Sequence, residues 1–115
     1  MLTVRRKVLE PDIAVLELEG TLVMGPESKD VEAQIGQLLA AGSRKIILDL
    51  GAMSHLDSAG VGVIVKCFGQ VKKAGGELRL ARPQKIVAKI FQLTHVDKVI
   101  RMTETVEAAA ENFSV

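Results

Sequence analysis

The chain has 115 residues, enough for one hydrophobic core and too few for two, with 48% hydrophobic and 25% charged residues. Fifteen Lys and Arg face fourteen Asp and Glu, and this net charge of +1 sets up no bulk attraction to nucleic acid or to an acidic membrane; three phenylalanines are too few for a base-stacking platform. Nucleic acid is therefore not an expected partner, and a lone cysteine, Cys67, excludes an internal disulfide and any site of several thiolates.

The N-terminal MLTVRRKVLEPD is charged and alternating, without the apolar block of a signal peptide. No later apolar run approaches the roughly 18 residues of a membrane span, so a cytoplasmic protein with no membrane insertion is expected, in keeping with the reducing compartment that lone Cys67 suits. Leu2, Val4 and Arg6 alternate with Thr3, Arg5 and Lys7; after the Glu10-Pro11-Asp12 turn, Ile13 to Leu18 forms a second extended run that Gly20 ends. The pair predicts an antiparallel hairpin. Gly25-Pro26-Glu27 reads as a helix start, with proline at the first position and an acid in the first turn. Val31, Ile35, Leu38 and Leu39 then fall on one helical stripe, and Gly42 supplies the stop.

Lys45 to Leu50 is nearly continuously apolar, as a strand covered on both faces should be, with Asp49 the exception. A second helix is predicted from Ala59 to Ala74, with Val61, Ile64, Val65, Phe68 and Val71 as its core stripe and Gly75-Gly76 as its end. Glu77 to Ala81 alternates as a further strand. Pro83 opens a third helix with Ile86, Ile90 and Leu93 on one side, Val99 to Met102 is a short last strand, and Thr103 caps a final helix in TVEAAAE, followed by a frayed ENFSV. This alternation predicts one α/β domain over 1–115: a mostly parallel mixed sheet with a leading antiparallel hairpin and about four helices.

The stretch SHLDSAGVGV, Ser54 to Val63, lies where a strand feeds a helix, the usual place for function in an open α/β sheet. Asp57 or Ser58 can cap the second helix, while Ala59, Gly60 and Gly62 leave its first amides uncovered for an anion such as a phosphoryl group. Taken alone, an Asp-Ser before a helix is most often only a cap. Val63 and Cys67 fall off the predicted core stripe; either they form a flat apolar contact for a partner together with Gly60 and Gly62, or they touch the neighbouring helix.

The wider context LDLGAMSHLDSAGVGVIV, Leu48 to Val65, resembles the signature of the STAS domain, the sulfate transporter and anti-sigma factor antagonist family, and in particular its small bacterial anti-anti-sigma members. The resemblance runs from about Thr3 to Ala110 through the order and spacing of the strands and helices. It implies that Ser58 is the regulatory phosphorylation site, Asp57 the acid before it and Gly60 the glycine that lets the helix begin tightly. It further implies that the unmodified protein binds an anti-sigma factor that is also a serine kinase, which frees a sigma factor. Phosphorylation then ends the interaction and a phosphatase restores it. No cofactor is implied, and the oligomeric state, a homodimer included, stays open.

The chain departs from the family pattern at three places. Val23 and Met24 follow Gly20-Thr21-Leu22 where an acidic, partner-receiving residue is usual; Ala59 stands where a second Ser or Thr is common; and His55 replaces a frequent aromatic, reading as a half-buried loop histidine or a pH-sensitive contact. The Val23 and Met24 pair favours an alternative function, a STAS interaction module of a transporter or multiprotein signalling complex that is never phosphorylated. An enzyme is not expected. Leu56 occupies the first glycine position of a Gly-x-Ser-x-Gly elbow, Gly60-Val61-Gly62 lacks the third glycine of a dinucleotide fingerprint, and His55 and His95 have no clustered metal-ligand partners.

Overall fold

In the computed structural model, which describes residues 1–113 and 115, the chain forms a five-stranded mixed sheet in the order β1-β2-β3-β4-β5. β1 (Leu2–Leu9) pairs antiparallel with β2 (Ile13–Leu22), and β3 (Lys45–Leu56), β4 (Glu77–Ala81) and β5 (Met102–Thr103) continue in parallel. The connections are α1 (Pro26–Ala40), α2 (Ser58–Lys73) and α3 (Lys85–Leu93) with a 3-10 turn at Val96–Lys98, and α4 (Val106–Ala109) follows β5. This is the α/β arrangement that the sequence predicts, with its leading hairpin and four helices.

Successive side chains of a strand point to opposite faces, so each strand contributes to two cores. On one face Ala14, Leu16 and Leu18 join Ile46, Leu48, Leu50, Leu78 and Leu80 under α1, α2 and α3, which add Val31, Ile35, Ile64, Val71, Val87 and Phe91. On the other, Ile13, Val15, Ile47 and Ala81 meet only Ala109 and the half-buried Leu9, Val106, Ala110 and Phe113. The thin back face also carries two buried charges, Asp49 and Arg79.

Several predicted boundaries shift. Gly20 does not end β2. It adopts φ 104° at a register irregularity and lies against the Met1 carbonyl, so glycine is needed there for close approach, and the strand resumes to Leu22. β3 likewise runs past Leu50 to Leu56, because β2 offers it a pairing edge up to Leu22–Leu56 and because Met53 and Leu56 find core to enter. On α3 the fully buried pair is Val87 and Phe91; of the predicted stripe Ile90 packs half-buried against the core, whereas Ile86 and Leu93 are 57% and 70% exposed, so the buried face is the adjacent helical row. The last strand is Met102–Thr103. Thr105 rather than Thr103 caps α4, its hydroxyl accepting from the Ala108 amide, while the Thr103 hydroxyl donates to the Thr105 carbonyl.

The tail is not frayed through Phe113. Arg79 donates to the carbonyls of Ala109, Glu111 and Asn112, and its guanidinium carbon sits 4.1 Å from the Phe113 ring centre. Ser114 lies outside the described residues.

Candidate functional site

The corner where β3 ends and α2 begins is set by Asp57. Its extended backbone places it as the N-cap, where the Oδ1 atom accepts from the Gly60 amide at 2.8 Å. The Oδ2 atom accepts from the Met24 amide at 3.0 Å, and the Asp57 amide in turn donates to the Leu22 carbonyl at 3.3 Å. One residue therefore ties the start of α2 to the β2–α1 loop. The Met24 amide first, then the Gly60 amide, hold the Asp57 carboxyl below its ordinary value, so it is ionised throughout the physiological range.

Gly60 is needed for this junction: an added Cβ would overlap the Leu22 carbonyl oxygen and touch the Leu56 side chain. Gly62, two residues further along and exposed, has nothing within 4 Å of where its Cβ would stand. Ser58, at the first helical position, is exposed, and among the described residues its hydroxyl makes no hydrogen bond to another side chain or backbone group. A hydroxyl so placed is open to solvent and to a visiting protein, beside the positive end of a 16-residue helix.

The structure brings together Val23, Met24, Asp57, Ser58, Ala59, Gly60 and Gly62. Met24 is 79% exposed, Val23 and Ala59 are half-buried, and Gly60 is buried beneath the surface the others form. His55 lies in β3 rather than in a loop and is exposed rather than half-buried, in register with Thr21 just past the irregularity that follows the Gly20–Met53 pair.

Val63 and Cys67 do not belong to the exposed surface. They are 9% and 0% exposed and face α1, so the reading in which they touch the neighbouring helix is the correct one. Val65, assigned to the core stripe, is 43% exposed in their place. Burial first, and the Glu32 carboxylate second, push the Cys67 thiol up to about 12, which leaves it an inert packing group. Above it, Lys66 reaches Glu32 at 2.9 Å and closes the α1–α2 seam.

Two features escape sequence reasoning. The Met24–Asp57 bond joins residues 33 positions apart, and nothing local announces it. Asp49 accepts from the amide of Gly51, two residues along β3, at 3.0 Å, and also from both Nε and Nη2 of Arg82 at 2.9 and 3.2 Å, which pins the β4–α3 loop. Gln84 reinforces that pin by donating to the Gly51 carbonyl. Among the described residues no three His, Cys, Asp or Glu side chains are placed to hold a metal ion, and no helix is long and apolar enough to cross a membrane.

Comparison with known proteins gives this geometry a family context. The sequence model of the STAS domain matches residues 6–109. A protein of Bordetella bronchiseptica, BtrV, provisionally named an anti-sigma factor antagonist, is 27% identical over 92 residues, 80% of this chain and 79% of its own length. The anti-sigma-B factor antagonist of Bacillus subtilis is 30% identical over 73 residues, 64% of this chain and 67% of its own. Among solved structures, the Bacillus anti-sigma factor antagonist SpoIIAA in its unphosphorylated form superposes with a TM-score of 0.71 at 22% identity, covering 94% of each chain, and its phosphorylated form superposes equally well. At that identity the likeness speaks for the fold.

Proposed function

The chain belongs to the STAS domain family, and from that premise we propose that it is an anti-sigma factor antagonist whose switch is the Ser58 hydroxyl. Unmodified, the Ser58 corner docks an anti-sigma factor that is also a serine kinase and so releases a sigma factor. Phosphorylation of Ser58 by that kinase dismisses it, and a phosphatase resets the switch. The observation that carries this reading is the exposed, unbonded Ser58 hydroxyl at the mouth of α2, directly beside the capped carboxylate of Asp57. The curated relatives named anti-sigma factor antagonists, and a fold neighbour solved with and without phosphate, support it.

The physics of the corner suits such a switch. A phosphoryl group adds roughly 1.5 to 2 negative charges and three acceptor oxygens, and here it would stand next to a carboxylate that is held ionised. The helix start accommodates that charge locally, so nothing in the fold needs to move, while a partner surface shaped for a neutral hydroxyl meets bulk and repulsion. The chain acts as the substrate in this scheme, since the magnesium and catalytic base of phosphoryl transfer belong to the partner's nucleotide site.

The exposed, apolar Met24 favours one second reading, a STAS module that assembles with a transporter or signalling complex and is never phosphorylated. Incubation with the purified anti-sigma serine kinases encoded in the same genome, followed by mass spectrometry of the product and binding assays, separates the two. The expected result is phosphate on Ser58 alone, with stable binding by the wild type and Ser58→Ala and loss of binding by Ser58→Asp. Equal binding by all three rejects the switch.

A further inference from the structure

We propose that this corner recognises its partner without charge, through an apolar socket on the partner that receives Met24, and that Asp57 serves as the positioning residue that presents it. The inference rests on the partner-switching reading above and specifies the surface on the other side.

Three segments build the corner: residues 20–26 at the end of β2 and its loop, 50–56 at the end of β3, and 57–65 at the start of α2. Across all three, Asp57 is the only Asp, Glu, Lys or Arg. A quarter of the whole chain is charged, so this stretch of exposed surface is unlike the rest. Its one charged side chain is turned inward in function: each carboxylate oxygen holds a backbone amide, of Gly60 at 2.8 Å and of Met24 at 3.0 Å, and the Met1 ammonium that donates to the Thr21 hydroxyl lies 3.8 Å from Glu27. The nearest cation further along α2, Lys66, is closed onto Glu32. A partner that brought Lys, Arg, Asp or Glu to this surface would desolvate a charge and find no free counter-charge.

An apolar partner finds an anchor instead. Met24 is 79% exposed, and its unbranched thioether chain adapts to a pocket. Its backbone amide is held by the Asp57 carboxylate, and α1 begins two residues on at Pro26, so the side chain is offered from a tethered segment. Around it, Val23, Ala59 and Gly62 offer small uncharged surface, and open space at Gly62 allows a close approach to the helix backbone. The Ser58 hydroxyl is the polar exception, and a phosphoryl dianion there would be the only unbalanced charge in the contact. That is why one modification is enough to end it.

The test uses the full chain and each purified anti-sigma serine kinase of the same genome as probe, with affinities measured by calorimetry and folding checked by circular dichroism. For the kinase that binds, Met24→Ala is expected to weaken binding roughly ten-fold or more, as truncation of a central anchor does, and Met24→Glu to weaken it further. Raising NaCl from about 50 to about 500 mM should change the wild-type affinity less than about three-fold, since a contact without charge pairs leaves screening little to weaken. Met24→Leu should restore most of the affinity. Ser58-dependent binding that ignores Met24→Ala, or that falls steeply with salt, overturns this inference and leaves the switch standing. Absence of binding by any of the kinases overturns both.

Discussion

Two charged side chains in this molecule do the same mechanical job in opposite surroundings. Arg79, on the back of the sheet, donates to three carbonyls of the segment 109–112 and is 2% exposed. Asp57, at the head of α2, accepts from amides of its own helix and of the β2–α1 loop, at the surface. Each holds a remote stretch of backbone by charge-assisted hydrogen bonding, Arg79 through three carbonyls and Asp57 through the Met24 amide. The difference in burial decides what else the group can do. Arg79 is enclosed by the tail it grips, with Phe113 stacked on it and Glu77 at 2.7 Å from its Nε, so it serves stability alone. Asp57 arranges a surface that another protein can reach.

Removing the buried latch should therefore have the largest effect on the fold. Arg79→Met leaves the carbonyls of Ala109, Glu111 and Asn112 without their donor and α4, only four residues long, without its main tether. A loss of about 3 kcal/mol is expected in urea unfolding, from charged hydrogen bonds worth roughly 1.5–3 kcal/mol each but partly replaced by water. Amide exchange should rise at residues 106–113 well before it rises in β3. A cost under about 1 kcal/mol, within the range of an ordinary surface substitution, with an unchanged tail, would show that Ala109 and Phe113 hold the segment by packing, and the comparison would fail on its structural side.

Much of this contrast is invisible in the sequence. The order of strands and helices follows from alternation and from Gly and Pro punctuation, and the head of α2 is legible because Asp57, Gly60 and Gly62 have few other reasons to stand together. Arg79 is not legible: a charged residue in ELRLA reads as solvent-facing, and only the fold shows that α4 and the tail close over it. Met24 as a tethered, exposed anchor is hidden for a different reason, since its bond to Asp57 depends on a parallel β2–β3 register. The error at α3 has a simpler cause. Ile86, Ile90, Leu93 and Val87, Phe91 are both apolar rows at helical spacing, and the choice between them is made by the sheet beneath. For Val63 and Cys67 the sequence leaves two readings open, because a helix packed against both a sheet and another helix buries more than one stripe.

The Asp57 clamp should respond to pH. Its carboxyl titrates below the ordinary aspartate value in the folded chain because the Met24 and Gly60 amides favour the ionised form. A depressed carboxylate contributes stability that is complete above the unfolded-state value, near 4, and is lost as pH falls through the lower folded value. NMR exchange of the Met24 and Gly60 amides should accordingly stay slow from neutral pH to about 4 and rise below it, beyond the intrinsic pH dependence. In Asp57→Asn that extra rise should vanish while a weaker cap persists, asparagine being a good N-cap in its own right. An unchanged acid response in the asparagine variant would assign the transition to another carboxylate.

The smallest effects separate what the corner needs for itself from what it offers outward, using two glycines two residues apart. Gly60→Ala sets a methyl group against the Leu22 carbonyl, a backbone atom that cannot swing away, so α2 must shift and a loss of about 1–3 kcal/mol follows. Gly62→Ala meets nothing within 4 Å and replaces a poor helix former by the best one, so it should stabilise the chain by about 0.5–1 kcal/mol. Thermal unfolding of the two variants checks both signs. The folded chain alone gives no reason to keep glycine at 62, and a variant that is more stable yet binds the partner less well would locate that reason in the close approach of another protein. If Gly62→Ala gains stability and binds as the wild type does, the contact ends short of the second turn of α2, and the surface that Asp57 organises is confined to Val23, Met24, Ser58 and Ala59.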